Sequence, residues 1–258
     1  MKPRRWNRKT ARVLTIGILF VAAACSGAAG DRSSTPASTP TQTVTPTLAP
    51  TPTQAPTPTQ APTLLAPPVG TTPSSLEPGT YVLADPFLVR ATATVPAGWA
   101  GNIGGPYLVD LESVSSRGAV TFSIFEKVYA DPCHFDKGLM NPLPGPTVED
   151  LATALASLPG LRATTPTDVT LGGYQGKQLT LTAPASFTGC TLSPDGYLVW
   201  ELPLGARNTM VPGQVQQLWV LDAKGQRLVV DATYSPAMTQ ADRDELTHVV
   251  ESLRFVAP

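Results

Sequence analysis

A tract of threonine and proline sets the strongest limit on what this chain can fold into. Residues 26–75 hold 11 Pro and 13 Thr, with Ala, Ser and Gln between them. Thr51-Pro52-Thr53-Gln54-Ala55-Pro56 is followed at once by its copy, Thr57-Pro58-Thr59-Gln60-Ala61-Pro62. Leu48, Leu64 and Leu65 are nearly its only large apolar side chains. Such a segment cannot bury enough surface to offset the entropy of ordering it. Its prolines favour extended polyproline II, a semi-rigid spacer reaching at most roughly 155 Å. A disordered linker is therefore expected over 26–75. Thr beside Pro also suits O-glycosylation. A Pro-rich ligand for a recognition domain is the weaker reading, because cytosolic readers of such motifs would not meet an exported chain.

The linker separates two unlike regions. Residues 1–25 carry six basic residues and no acid, whereas residues 76–258 carry eleven basic and eighteen acidic ones. The formal net charge of −1 is an average over these parts. An acidic folded region lacks the basic face that nucleic acid requires, so no nucleic-acid partner is expected.

Lys2, Arg4, Arg5, Arg8, Lys9 and Arg12 precede a short apolar run, Val13 to Ala24. The run has the length of a signal-peptide core and is short for a membrane span. Its end, Val21-Ala22-Ala23-Ala24-Cys25-Ser26, resembles the bacterial lipobox, with Ala22 where that motif usually has Leu. The resemblance implies a signal peptide over 1–25 and lipidation of Cys25 as the mature N-terminus. Cleavage at an ordinary Ala-x-Ala site, with Cys25 incidental, is the alternative. A diacylated Cys25 supplies the two chains that stable anchoring needs. Arg4-Arg5 hints at twin-arginine export, but the general secretory route fits the rest of the leader better.

Residues 76–258 read as one globular domain, long enough for a good core. Phe87, Val89, Ala91, Ala93 and Val95 alternate with Arg90, Thr92 and Thr94, which predicts a half-buried strand ended by Pro96-Ala97-Gly98-Trp99. Further strands are expected at Tyr107–Ser113, Val120–Tyr129, Asp168–Leu171, Lys177–Thr182, Tyr197–Leu202, Val215–Asp222 and Arg227–Tyr234. Asp222-Ala223-Lys224-Gly225 makes a hairpin of the last two. Thr147 with Asp150 forms a capping box that opens a helix, with Val148, Leu151, Leu155 and Leu158 as its stripe and Pro159-Gly160 as its stop. Thr239 caps a second helix with a stripe of Leu246, Val249, Val250 and Leu253. The expected class is α+β, a mostly antiparallel sheet with both helices packed on one side.

The order strand, Pro-x-Gly-Trp, meander, helix, hairpins and a last helix ending Ser252-Leu253-Arg254-Phe255 resembles the PsbP-type fold, including LpqN-type lipoproteins. The phrases Val128-Tyr129-Ala130-Asp131-Pro132-Cys133 and Leu221-Asp222-Ala223-Lys224-Gly225-Gln226-Arg227 are similar to uncharacterised secreted actinobacterial-style domains. The resemblance implies a binding or assembly module rather than an enzyme. It assigns no functional residue to this chain.

Apart from Cys25, the cysteines are Cys133 and Cys190. An even pair in an exported domain reads as a disulfide. The sharper alternative makes Cys133 a nucleophile beside His134, but adjacent residues on an extended segment point apart. There is no His-Glu-x-x-His, Gly-x-Ser-x-Gly or Walker loop. With His134 and His248 as its two histidines, the chain cannot build a His-rich metal site. No metal or cofactor is expected. Gly101-Asn102-Ile103-Gly104-Gly105-Pro106 reads as a tight loop. Asp110 and Glu112 share a strand face, as acid/base pairs sometimes do, although a solvated strand face is the favoured reading. Trp200 and Trp219 alternate with leucines and read as core. Trp99, after Gly98 in a loop, is the candidate for an exposed ligand contact, or else a lid folded over the sheet.

These readings converge on a membrane-tethered, extracytoplasmic binding module of a bacterial envelope. Its partner is the membrane, through lipid, and an unnamed envelope protein, glycan or small ligand. A carrier of an apolar ligand is the second reading. An envelope hydrolase using Asp110, Asp131 or His134 is the third.

Overall fold

The computed structural model describes residues 64–67, 72–83, 89–105, 108–113, 118–192, 196–202, 205 and 207–256. The leader, Cys25 and most of the linker lie outside them. By its contacts the chain divides into Met1–Thr57 and Pro58–Pro258, and every described residue belongs to the second unit. Among the described residues no helix is long and apolar enough to cross a membrane.

The strands, in chain order, begin with β1 (Leu64–Leu65), β2 (Ser74–Ser75), β3 (Gly79–Leu83), β4 (Arg90–Val95), β5 (Trp99–Gly105) and β6 (Leu108–Ser113). Then come β7 (Ala119–Ser123), β8 (Lys127–Val128), helix α1 (Val148–Ala156), β9 (Arg162–Ala163), β10 (Thr167–Leu171) and β11 (Tyr174–Thr182). The chain continues through β12 (Tyr197–Glu201), β13 (Arg207–Met210), β14 (Val215–Ala223), β15 (Gln226–Tyr234), helix α2 (Gln240–Glu251) and β16 (Arg254–Val256).

A nine-stranded sheet forms the centre, in the order β10-β11-β14-β15-β7-β6-β5-β2, with β9 paired to β11 beside β10. A four-stranded sheet, β1-β3-β4-β16, and a three-stranded sheet, β13-β12-β8, accompany it. Among the described strands, pairing is antiparallel except where β1 joins β3. The class is α+β with a mostly antiparallel sheet, as the alternating patterns predict.

The two helices do not share a side. On β14, Trp219, Leu221 and Ala223 enter one apolar cluster, while Leu218 and Val220 enter another. The first cluster holds Leu246, Val249 and Val250 of α2 and Ala91, Ala93 and Val95 of β4. The second holds Leu151, Ala152 and Leu155 of α1 and Tyr197, Val199 and Trp200 of β12. The physical reason is composition. The central hairpin is apolar on both faces, so each face needs a cover, and one helix with one small sheet supplies each.

Both helices start where their caps place them. Thr147 Oγ1 accepts from the Asp150 N–H at 3.1 Å, and the Asp150 carboxylate accepts from the Thr147 N–H at 2.9 Å. Thr239 Oγ1 accepts from the Asp242 N–H at 3.2 Å. Each fully buried Leu on these stripes is worth about 1.5–3 kcal/mol. Gly160 ends the α1 region in the left-handed conformation, φ 78°, where a Cβ would meet the Tyr197 hydroxyl at 2.3 Å. Gly176 on β11 is required for a different reason: a Cβ there would lie 2.1 Å from the Val220 carbonyl oxygen.

Three expectations are corrected. The Gly-rich segment read as a loop is most of β5, paired along β6. Glycine weakens strand propensity, and the ladder overrides it. Val120–Tyr129 is two strands, β7 and β8, in different sheets. The break carries Phe125 into the second cluster, stacked on Trp200 with centroids 4.5 Å apart. Finally, β1 and β2 lie inside the stretch expected as linker. Leu65 packs on the first cluster, while Leu64 stays half exposed.

Candidate functional site

Trp99, offered as an exposed contact or as a lid over the sheet, is buried to 1% exposure at the start of β5, which excludes the exposed contact. Its indole Nε1 donates to Glu245 Oε1 at 2.7 Å. It closes over the sheet because β5 pairs in register and carries the ring into the core.

Cys133 and Cys190 are joined, Sγ–Sγ 2.04 Å. Beside the bond, Asp131 is 7% exposed. Its Oδ1 accepts from the N–H groups of Cys133 at 3.0 Å and His134 at 3.2 Å. Its Oδ2 lies 2.6 Å from Lys137 Nζ and 3.0 Å from His134 Nδ1. Burial pushes the Asp131 carboxyl up, but the bonds from Lys137 and His134, the Lys137 charge and the Cys133 N–H outweigh it and hold the group below the usual carboxylate range. Asp131, Cys133 and His134 bring three potential ligand atoms within 4.8 Å of one another. The sulfur is bonded to sulfur and an ammonium already occupies the carboxylate, so this set does not offer the anionic ligands a metal wants. It is a pinned loop. His248 is exposed on α2.

A cleft of about 480 Å³ opens between the start of α1 and the β14–β15 turn, lined in part by Glu149, Asp168, Lys177 and Arg227. Its two cations, Lys177 and Arg227, already have partners. Lys177 Nζ lies 2.7 Å from Glu149 and 2.9 Å from Asp168. Arg227 donates to the carbonyls of Gly145 and Thr147.

A second cleft, about 280 Å³, lies between the three-stranded sheet and the polar part of the central sheet. Strand register builds its floor. Leu179, Leu218, Asp231 and Thr121 follow one another across β11, β14, β15 and β7. The neighbouring row is Leu181, Gln216, Thr233 and Ala119. The first row turns polar at β15, and the second already at Gln216 of β14. Asp110 of β6 is in register with Thr121. Arg207, Asn208 and Thr209 of β13 and Trp200 of β12 form the facing wall.

Asp231 and Gln216 are each 1% exposed. Asp231 Oδ1 accepts from Thr233 Oγ1 at 3.0 Å. Gln216 Nε2 donates to Asn208 Oδ1 at 3.1 Å, which leaves its Oε1 buried with no protein donor. Ser123 Oγ, two positions along β7 from Thr121, is likewise buried without a partner. Buried polar atoms in this state are rare. Gln216 Oε1 marks the cleft as the candidate site, and Ser123, in the row of Val229, lies outside its lining. Of the expected site residues that the structure describes, Trp99, Asp131, Cys133, His134 and Cys190 do not line this cleft. A signal was present in Val229-Val230-Asp231-Ala232, where one acid interrupts an apolar strand, because an acid is almost never fully buried unless paired.

No family model and no curated protein matches this chain. Among solved structures it is similar to that of LpqN, involved in cell envelope biogenesis of Mycobacterium tuberculosis. The likeness covers 69% of this chain and 91% of that one, at 15% sequence identity and a TM-score of 0.37. A likeness of that size assigns neither family nor function.

Proposed function

We propose that this chain is an extracytoplasmic binding module of a bacterial envelope, tethered to the membrane through lipidated Cys25 and the Thr/Pro linker, with a PsbP-type folded domain. The observation that carries the reading is the Cys133–Cys190 bond. Structural disulfides persist in oxidising, extracytoplasmic compartments. The same bond takes up the sulfur of Cys133, the nucleophile that the sequence offered. Binding is favoured over catalysis on that ground, and a polar ligand over an apolar cargo because the cleft floor carries Asp231 and Gln216.

The test is fractionation with capture. Full-length protein should sediment with membranes, and Cys25→Ala should be released to the medium. Immobilised full chain should retain a specific component of detergent-solubilised envelopes. Unchanged partitioning of Cys25→Ala would sink the tether. Turnover of an envelope substrate by the purified protein would sink the non-catalytic reading.

A further inference from the structure

We propose that the cleft between α2 and the β14–β15 hairpin binds a small molecule through a carboxylate. This is a second site, apart from the polar floor of β7, β14 and β15, and it does not depend on the tether. The cleft has a volume of about 240 Å³. Strand register builds its sheet wall. Gln217 of β14 lies opposite Ala232 of β15, with Trp219 and Tyr234 two positions along their own strands, on the same face. Arg243 and Leu246 of α2 close it. Unlike the two clefts already described, it has no carboxylate among its lining residues, and Arg243 is its cation.

Arg243 is held in place by the protein itself. Its Nε and Nη2 donate to the Met238 carbonyl at 3.2 and 2.8 Å, and Nη2 also donates to the Pro236 carbonyl at 3.3 Å. The guanidinium carbon stands 5.5 Å from the centroid of the Tyr234 ring. Carbonyls and a ring face orient the guanidinium without neutralising it. The acids beside it on α2 are engaged elsewhere: Asp242 accepts from Thr239, Asp244 from Gln240 and Glu245 from Trp99, each at 2.7 Å. Among the described residues nothing accepts from Arg243 Nη1 or from the indole N–H of Trp219.

A positioned guanidinium and a second N–H donor in one cleft match a planar, singly charged carboxylate. Phosphate carries about two negative charges. A single cation does not offset them in a domain with eleven basic and eighteen acidic residues. A hydroxyl or an amide can accept the same hydrogen bonds but brings no charge to Arg243. The volume admits a small molecule, not a folded partner.

Amide and indole N–H chemical shifts of the full chain in detergent provide the test, with sodium propionate, propionamide, propylamine and inorganic phosphate as separate probes at constant ionic strength. Propionate should give saturable shifts at Gln217, Arg243 and the Trp219 indole, and propionamide and propylamine should not. Arg243→Gln should weaken propionate by about tenfold or more. Thr247→Lys places a second cation at the exposed rim, one turn from Arg243. It should tighten propionate by about threefold, a gain that misfolding cannot mimic. Propionamide binding as well as propionate, or unchanged affinity in Arg243→Gln, overturns the proposal, because the charge is then not read. Phosphate binding more tightly than propionate overturns it in favour of a phosphoryl ligand. No saturable shift with any probe overturns it too. All of these outcomes leave the tethered binding module standing, whereas loss of membrane tethering in wild type would count against that wider reading and not against this site.

Discussion

The indole of Trp99 and the carboxylate of Glu245, 146 positions apart in sequence, are bonded at 2.7 Å. This joins the first residue of β5 to α2 and seals one edge of the first apolar cluster. Trp99→Phe keeps most of the buried ring and removes the donor. It should cost about 1–2 kcal/mol of unfolding free energy. Glu245→Gln should cost less, since an amide oxygen still accepts. A double-mutant cycle in urea should show coupling of about 1 kcal/mol. Additive single effects would mean that the bond contributes nothing to folding.

The disulfide makes a second, larger prediction. Cys133 and Cys190 are separated by 57 positions, and their closure restricts the unfolded chain. On the chain-entropy account, replacing both by Ser should lower stability by about 4 kcal/mol. Chemical denaturation with and without reductant measures it. Wild-type protein unfolded without reductant should show no thiols from these residues. Two reactive thiols there would contradict the bond.

Asp131 predicts a pH dependence. Its folded pKa is depressed, so its contribution to stability is present above the ordinary carboxylate range and is lost as pH falls through the lower folded value. Asp131→Asn removes the charge that holds Lys137 and should cost about 1–3 kcal/mol at neutral pH. Thermal melts should show the gap between wild type and variant narrowing below roughly pH 4. A gap unchanged down to strongly acidic pH would show that the charge is not what stabilises the loop.

Local chemistry was legible from the chain. Thr147 with Asp150, and Thr239 with Asp242, announced both helix starts because capping acts within a few residues. The hairpin at Asp222–Gly225 was equally local, with the Gly225 N–H donating to Asp222 Oδ1 at 2.7 Å. The alternation of Val89, Ala91, Ala93 and Val95 marked a buried face, and all four are at most 1% exposed. Gly101 to Gly105 misled for the same reason: propensity reports on the segment alone, and β6 supplies the ladder that overrules it.

By itself the sequence determined where elements begin, which stripes seek burial, and that a Thr/Pro tract separates a basic leader from an acidic domain. These properties depend on near neighbours and composition. The tertiary structure alone decided that α1 and α2 cover opposite faces, that Trp99 is roofed by Glu245, and that Asp231, Gln216 and Thr121 share one floor. Those relations are set by cross-strand register, which brings residues about a hundred positions apart into adjacent rows. No local pattern encodes which strand lies next to which.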